Sequence, residues 1–91
     1  MNLVSVAAHC GTVSSSGTPT FQVYNVTDSV DMLSTALTID ASENDSSSAA
    51  TAAVINTSYD DIATGDWIRI DCDTAGTSTA WVVVELGFQL P

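Results

Sequence analysis

The chain ends on five apolar residues spaced two apart, Val82, Val84, Leu86, Phe88 and Leu90, with Trp81, Val83, Glu85, Gly87 and Gln89 between them. A repeat of two belongs to a strand, whose successive side chains point to opposite faces. A helix would need apolar residues three and four apart. The same alternation sets Ile68, Ile70 and Cys72 against Trp67, Arg69 and Asp71, and Val4, Val6, Ala8 and Cys10 against Leu3, Ser5, Ala7 and His9. Phe21 and Val23 alternate with Gln22 and Tyr24, while Leu33, Thr35, Leu37 and Ile39 form a fifth pattern and residues 51–56 a weaker sixth. In each pair the first-named set is expected inward. The even-numbered residues of the last strand are expected to fill one interior face by themselves.

Turn chemistry separates these runs. Residues 11–19 and 41–48 are polar loops, residues 63–66 read as a tight turn, and residues 74–79, centred on Gly76, as a hairpin loop. Residues 49–53 are too short for a helix of their own. Short strands between turns predict an all-β protein, a small antiparallel β-sandwich of jelly-roll type with six to eight strands. A single domain spans residues 1–91.

Charge removes whole classes of function. Eleven carboxylates face one arginine and no lysine, for a formal net charge of -10. Binding a phosphate backbone or an anionic lipid surface needs cations this chain lacks, so neither nucleic acid nor membrane is an expected partner. No stretch approaches the roughly 20 apolar residues of a membrane span, and residues 1–5 lack the basic start of a signal peptide. Leu, Ile, Val and Phe make up 22 of 91 residues. That is above the roughly 20% below which high charge predicts disorder, so a fold is expected, helped by self-association.

No catalytic constellation emerges. His9 is the single histidine, and neither a Gly-x-Ser-x-Gly elbow nor a His-Glu-x-x-His pair is present. Adjacent strand residues point apart, which disfavours a His9–Cys10 thiolate pair, and His9 reads as a partly exposed surface residue. Two cysteines and one histidine fall short of a closed zinc site. Cys10 and Cys72 read as buried thiols, with a bridge between them as the alternative. Asp60, Asp61 and Asp66 are the weak candidates for calcium, as loop carboxylates at one end of a sandwich. No other cofactor is expected.

The outward phase carries the stronger signal. Trp67 and Trp81 both fall on it, in strands read as neighbours, with Val83, Arg69 and Tyr24 nearby. Exposed indoles ordinarily mark contacts. These five residues are therefore the expected interface of a homo-oligomer, a trimer by preference, with Arg69 meeting a carboxylate such as Asp71 or Glu85.

Several runs carry a resemblance: GTPTFQV (17–23), NVTDSVDMLST (25–35), LTIDA (37–41), ATAAVINT (50–57), DDIATGD (60–66), IRID (68–71) and DTAGT (73–77). Together they resemble a small β-sandwich module of tailed-bacteriophage virion proteins. Members of that family commonly carry a Lys-Gly pair after the Gly76 turn, where this chain has Ser78-Thr79-Ala80 ahead of Trp81. The resemblance implies a non-enzymatic structural component of a phage virion. One compact domain suits an oligomeric capsid decoration (cement) protein or head-fibre module, with the major capsid protein as partner. The alternatives are the receptor-binding tip of a tail fibre, and a calcium-dependent carbohydrate-binding module facing a host surface glycan.

Overall fold

A computed structural model describes residues 1–90, with only the backbone of Ser48. Eight strands follow in order: β1 (Asn2–Thr12), β2 (Thr20–Asn25), β3 (Val30–Asp31), β4 (Leu33–Thr35), β5 (Leu37–Thr38), β6 (Val54–Ile55), β7 (Ile68–Thr74) and β8 (Ala80–Gln89). Among the described residues the one helical element is a 3₁₀ turn at Ser46–Ser48, capped by the Asp45 carboxylate. The protein is all-β, and every strand pairing is antiparallel.

The two long pairings are nested. β1 pairs with β8 in one sheet, while β2 pairs with β7 in another, where β3 and β5 share its opposite edge. First with last and second with next-to-last is the start of jelly-roll winding. The inner strands, two or three residues each, pair as β4 with β6 in a small third sheet. The run from Leu33 to Ile39, expected as one strand, is split at Ala36 into β4 and β5.

The core is built from Leu3, Ala8 and Cys10 of β1, Phe21 and Val23 of β2, and Met32, Leu33, Leu37 and Ile39 of the middle segment. Alternation assigned most of these correctly and failed at two places. The first is Leu3, which is 1% exposed whereas Val4 is 49% exposed. Leu3 lies opposite Phe88 and Ser5 opposite Gly87, so Val4 is an extra residue bulged out of the ladder. A bulge shifts the phase by one, and everything on its far side changes face.

The second failure concerns strands at sheet rims. Val82, Val84, Leu86 and Phe88 lie opposite Cys10, Ala8, Val6 and Leu3 and share their face. Only Val84 and Leu86 pack on the core, while Val82, Phe88 and Leu90 stay exposed. β8 does not fill an interior face alone, because it is the rim of a two-stranded sheet. Likewise Ile70 and Cys72 lie opposite Val23 and Phe21 yet are exposed, since among the described residues β7 pairs with β2 alone.

The residue 74–79 loop is not a hairpin. β7 and β8 belong to different sheets, so it arches between them. It is held by the facing serine loop: Ser15 N–H donates to the Thr77 carbonyl (3.0 Å), and Thr77 N–H to the Ser16 carbonyl (3.0 Å) and Ser14 Oγ (3.1 Å). Gly76 stands at φ 71°, and a Cβ there would come within 2.5 Å of Ser14 Oγ and 3.1 Å of the Pro19 ring. Only glycine fits both the left-handed backbone and this close approach. The turn at 63–66 forms as expected, closed by Asp66 N–H to the Ala63 carbonyl (3.1 Å) with Gly65 at φ 89°.

Candidate functional site

The outward residues form two patches, not one. On the β2–β7 sheet, Tyr24 lies opposite Arg69, whose guanidinium sits 4.6 Å from the phenol ring centroid. Asp71, two residues on and on the same face, takes Arg69 in a fork, Nε to Oδ1 at 2.6 Å and Nη2 to Oδ2 at 3.1 Å. This hydrogen bond raises the Arg69 pKa above its ordinary value. The carboxylate that Arg69 meets is thus Asp71, while Glu85 lies in the other sheet.

Trp67 precedes β7 at the end nearest Asn25. Its N–H donates to Thr27 Oγ1 (2.9 Å) and its carbonyl accepts from Val26 N–H (2.8 Å), leaving the indole 74% exposed. Trp81 and Val83 lie on the β1–β8 sheet. Trp81 stands beside Gly11, near the loop that joins β1 to β2, and so at the opposite end from Trp67. The expectation that the two tryptophans occupy neighbouring strands fails because the chain changes sheets between them.

Trp81 is the most exposed of the large apolar residues, at 83%, and its φ is 59°. A bulky side chain in the left-handed region is a backbone outlier that costs about 1–2 kcal/mol. Ser78, in the same stretch, shares that conformation at φ 66°. Against this, Trp81 gains only the packing of its inner edge beside Gly11, since little of the residue is buried. Trp81→Asn, a residue at ease in that region, is expected to stabilise the isolated subunit by about 0.5–1 kcal/mol. Thermal melts of dilute protein check this, and a drop of similar size would show that the indole supports the fold.

His9 is held between two carboxylates, with Nδ1 2.9 Å from Asp45 Oδ2 and Nε2 3.3 Å from Glu85 Oε1. No hydroxyl or thiol is among its described partners, so the arrangement is a clamp joining β1, β8 and the acidic loop. Sequence reasoning missed it, because Asp45 lies far away along the chain and no spacing rule links the three residues. The Ser47 N–H, then the Ser47 hydroxyl, hold the Asp45 carboxyl below its ordinary value; desolvation opposes them, and His9 adds smaller lowering contributions. A depressed carboxyl contributes stability that is present above the unfolded-state value of about 3.9 and is lost as pH falls through the folded one. Asp45→Asn is therefore expected to flatten the acid limb of the pH–stability profile below about pH 4, as read by denaturant titrations.

Asp28, Val30, Ser58, Tyr59, Asp61, Ala63 and Asp66 line an open cleft of about 380 Å³. Of the calcium candidates, Asp61 pairs loosely with the Met1 amino group (3.7 Å). Asp66 Oδ2 accepts from Asn25 Nδ2 (3.2 Å) and Ala63 N–H (3.0 Å), and the Asp60 carbonyl accepts from Leu3 N–H (2.9 Å). Among the described residues no three His, Cys, Asp or Glu side chains are grouped to hold a metal ion. Both cysteines are free thiols in separate sheets. Cys10 is buried and Cys72, against expectation, is exposed on the rim strand β7. Comparison with known protein families, with curated proteins and with solved structures finds no match.

Proposed function

We propose that this protein is a non-enzymatic structural component of a bacteriophage virion, an oligomeric capsid decoration or head-fibre module. The observation that carries the reading is the display of Trp81, an exposed indole on a backbone conformation that costs stability. Strain of this kind persists where a contact makes use of it, and a tryptophan is the residue best suited to anchor such a contact. A second indole, Trp67, exposed on the other sheet, supplies a separate surface, as a protein meeting both its own copies and a capsid requires. The acidic surface fits a role that involves neither nucleic acid nor lipid. The resemblance to tailed-phage virion modules gives the reading its setting, the assembled particle. The test is quantification of the protein in purified virions. Hundreds of copies per particle are expected of a decoration protein, by the order of magnitude that capsid symmetry imposes. A handful per particle would overturn it in favour of a tail-fibre tip.

A further inference from the structure

We infer that two copies of this chain join through the free edge of β8, antiparallel, so that the β1–β8 sheet runs on from one copy into the next. The inference rests on the self-association in the proposed function and is independent of the virion.

It follows from asking which edges of the fold are open. β1 offers no continuous edge: its side away from β8 is bridged at both ends to Asp61 and Asp45, with Leu3 N–H on the Asp60 carbonyl and Cys10 N–H on the Asn44 carbonyl. Asn44 Nδ2 and Ser46 Oγ occupy further edge positions at Cys10 and Ala8. β3, β4, β5 and β6 are two or three residues long and present almost no ladder. β7 is open, but Arg69, Asp71 and Asp73 charge it in the way that natural rim strands are protected from pairing.

β8 is different. It has ten residues, and among the described residues it pairs with β1 and with no other strand. Its only charge is Glu85, which His9 already engages. Neither proline nor lysine blunts it, and Trp81, Val82, Val83 and Phe88 along it are exposed, as is Leu90 just beyond. A long, apolar, unprotected edge is a pairing template.

Charge and area identify the occupant. A second copy also carries -10, so it is repelled from most of this surface and meets least repulsion along the carboxylate-poor strip. A basic partner would find almost nothing there to recognise. Aromatic side chains bury about 150–250 Å² each. Trp81 and Phe88 with Val82, Val83 and Leu90 therefore offer on the order of 500–600 Å² per copy, against about 800 Å² per partner in a standard interface to which the backbone edge also contributes. Because the same edge meets itself, the contact is isologous and two-fold, in place of the three-fold arrangement expected from the sequence. A ring of three would need two different complementary surfaces.

Hydrogen exchange on the unmodified protein at rising concentration, read beside sedimentation, tests this. Amides of residues 80–89 that point away from β1 are expected to gain protection as dimer forms, whereas β7 amides do not. Val83→Asp is expected to weaken dimerisation by about tenfold or more, and Val4→Asp, equally apolar and exposed on the same sheet, by less than about twofold. A dimer whose β8 amides gain no protection, or which both variants weaken alike, overturns the β8 contact and leaves self-association standing. A wild type that stays monomeric at near-millimolar concentration overturns both. The virion reading is decided separately by copy number.

Discussion

Leu3→Ala is expected to cost about 2–5 kcal/mol of folding stability, and Val4→Ala less than about 1 kcal/mol. The two residues are adjacent and both apolar, and a plain reading of alternation would rank them the other way. Leu3 is among the largest fully buried side chains and touches a core assembled from β1, β2 and the middle segment. Truncating it removes apolar contact and leaves a cavity that the surrounding strands can fill only in part. Val4 stands outside the ladder with half its surface in water, so its loss touches little beyond strand propensity. Urea titrations at a fixed protein concentration measure both. Equal costs, or a larger one at Val4, would show that the bulge is misplaced.

Asn25 gives the second large effect. Its side chain is fully buried, and its atoms tie two turns together. Oδ1 accepts from Asp28 N–H (3.1 Å), while Nδ2 donates to Asp28 Oδ2 (3.3 Å) and Asp66 Oδ2 (3.2 Å). Asn25→Ala removes three hydrogen bonds, two of them to carboxylates that line the open cleft, and empties a fully buried position, at a cost of about 2–4 kcal/mol. Asn25→Asp is nearly the same shape but places a third carboxylate against two others. The folded-state pKa of that new carboxyl must rise above the unfolded value of about 3.9. Its penalty is then fully present at neutral pH, is relieved as pH falls through the raised folded-state value, and is gone below the unfolded one. Denaturant titrations at pH 7 and near pH 3.5 are expected to show Asn25→Asp the worse variant at the first and the milder at the second. A penalty independent of pH would mean that the carboxylates are not grouped as described.

The strands were legible because alternation is a property of neighbouring residues. β1, β2, β7 and β8 all begin and end close to where the pattern does. Pairing is a different matter, since no local signal tells whether Gly76 closes a hairpin or an arch. The answer lay in Ser14, Ser15 and Ser16, about sixty residues upstream. Burial failed for a related reason. The pattern reports which face a residue occupies, and not whether anything covers it, so Ile70, Cys72, Val82 and Phe88 were given the right face and the wrong exposure. The aromatic surface was legible residue by residue but not as a whole, because the change of sheet between Trp67 and Trp81 leaves no mark in composition. The His9 clamp was invisible for the same reason, as it joins three elements distant along the chain.

The pairing of β1 with β8 also sets a schedule. As the chain is synthesised, residues 2–12 emerge long before residues 80–89, so the β1–β8 sheet has no second strand until the ribosome has passed β8. β2 waits almost as long for β7. Contacts of such sequence separation make folding slow, on the scale of milliseconds to seconds, and hold back its completion until β8 is available. Until then Cys10, sealed in the finished core, is open to any thiol-reactive agent. The time for which it remains reactive is a clock for the arrival of β8.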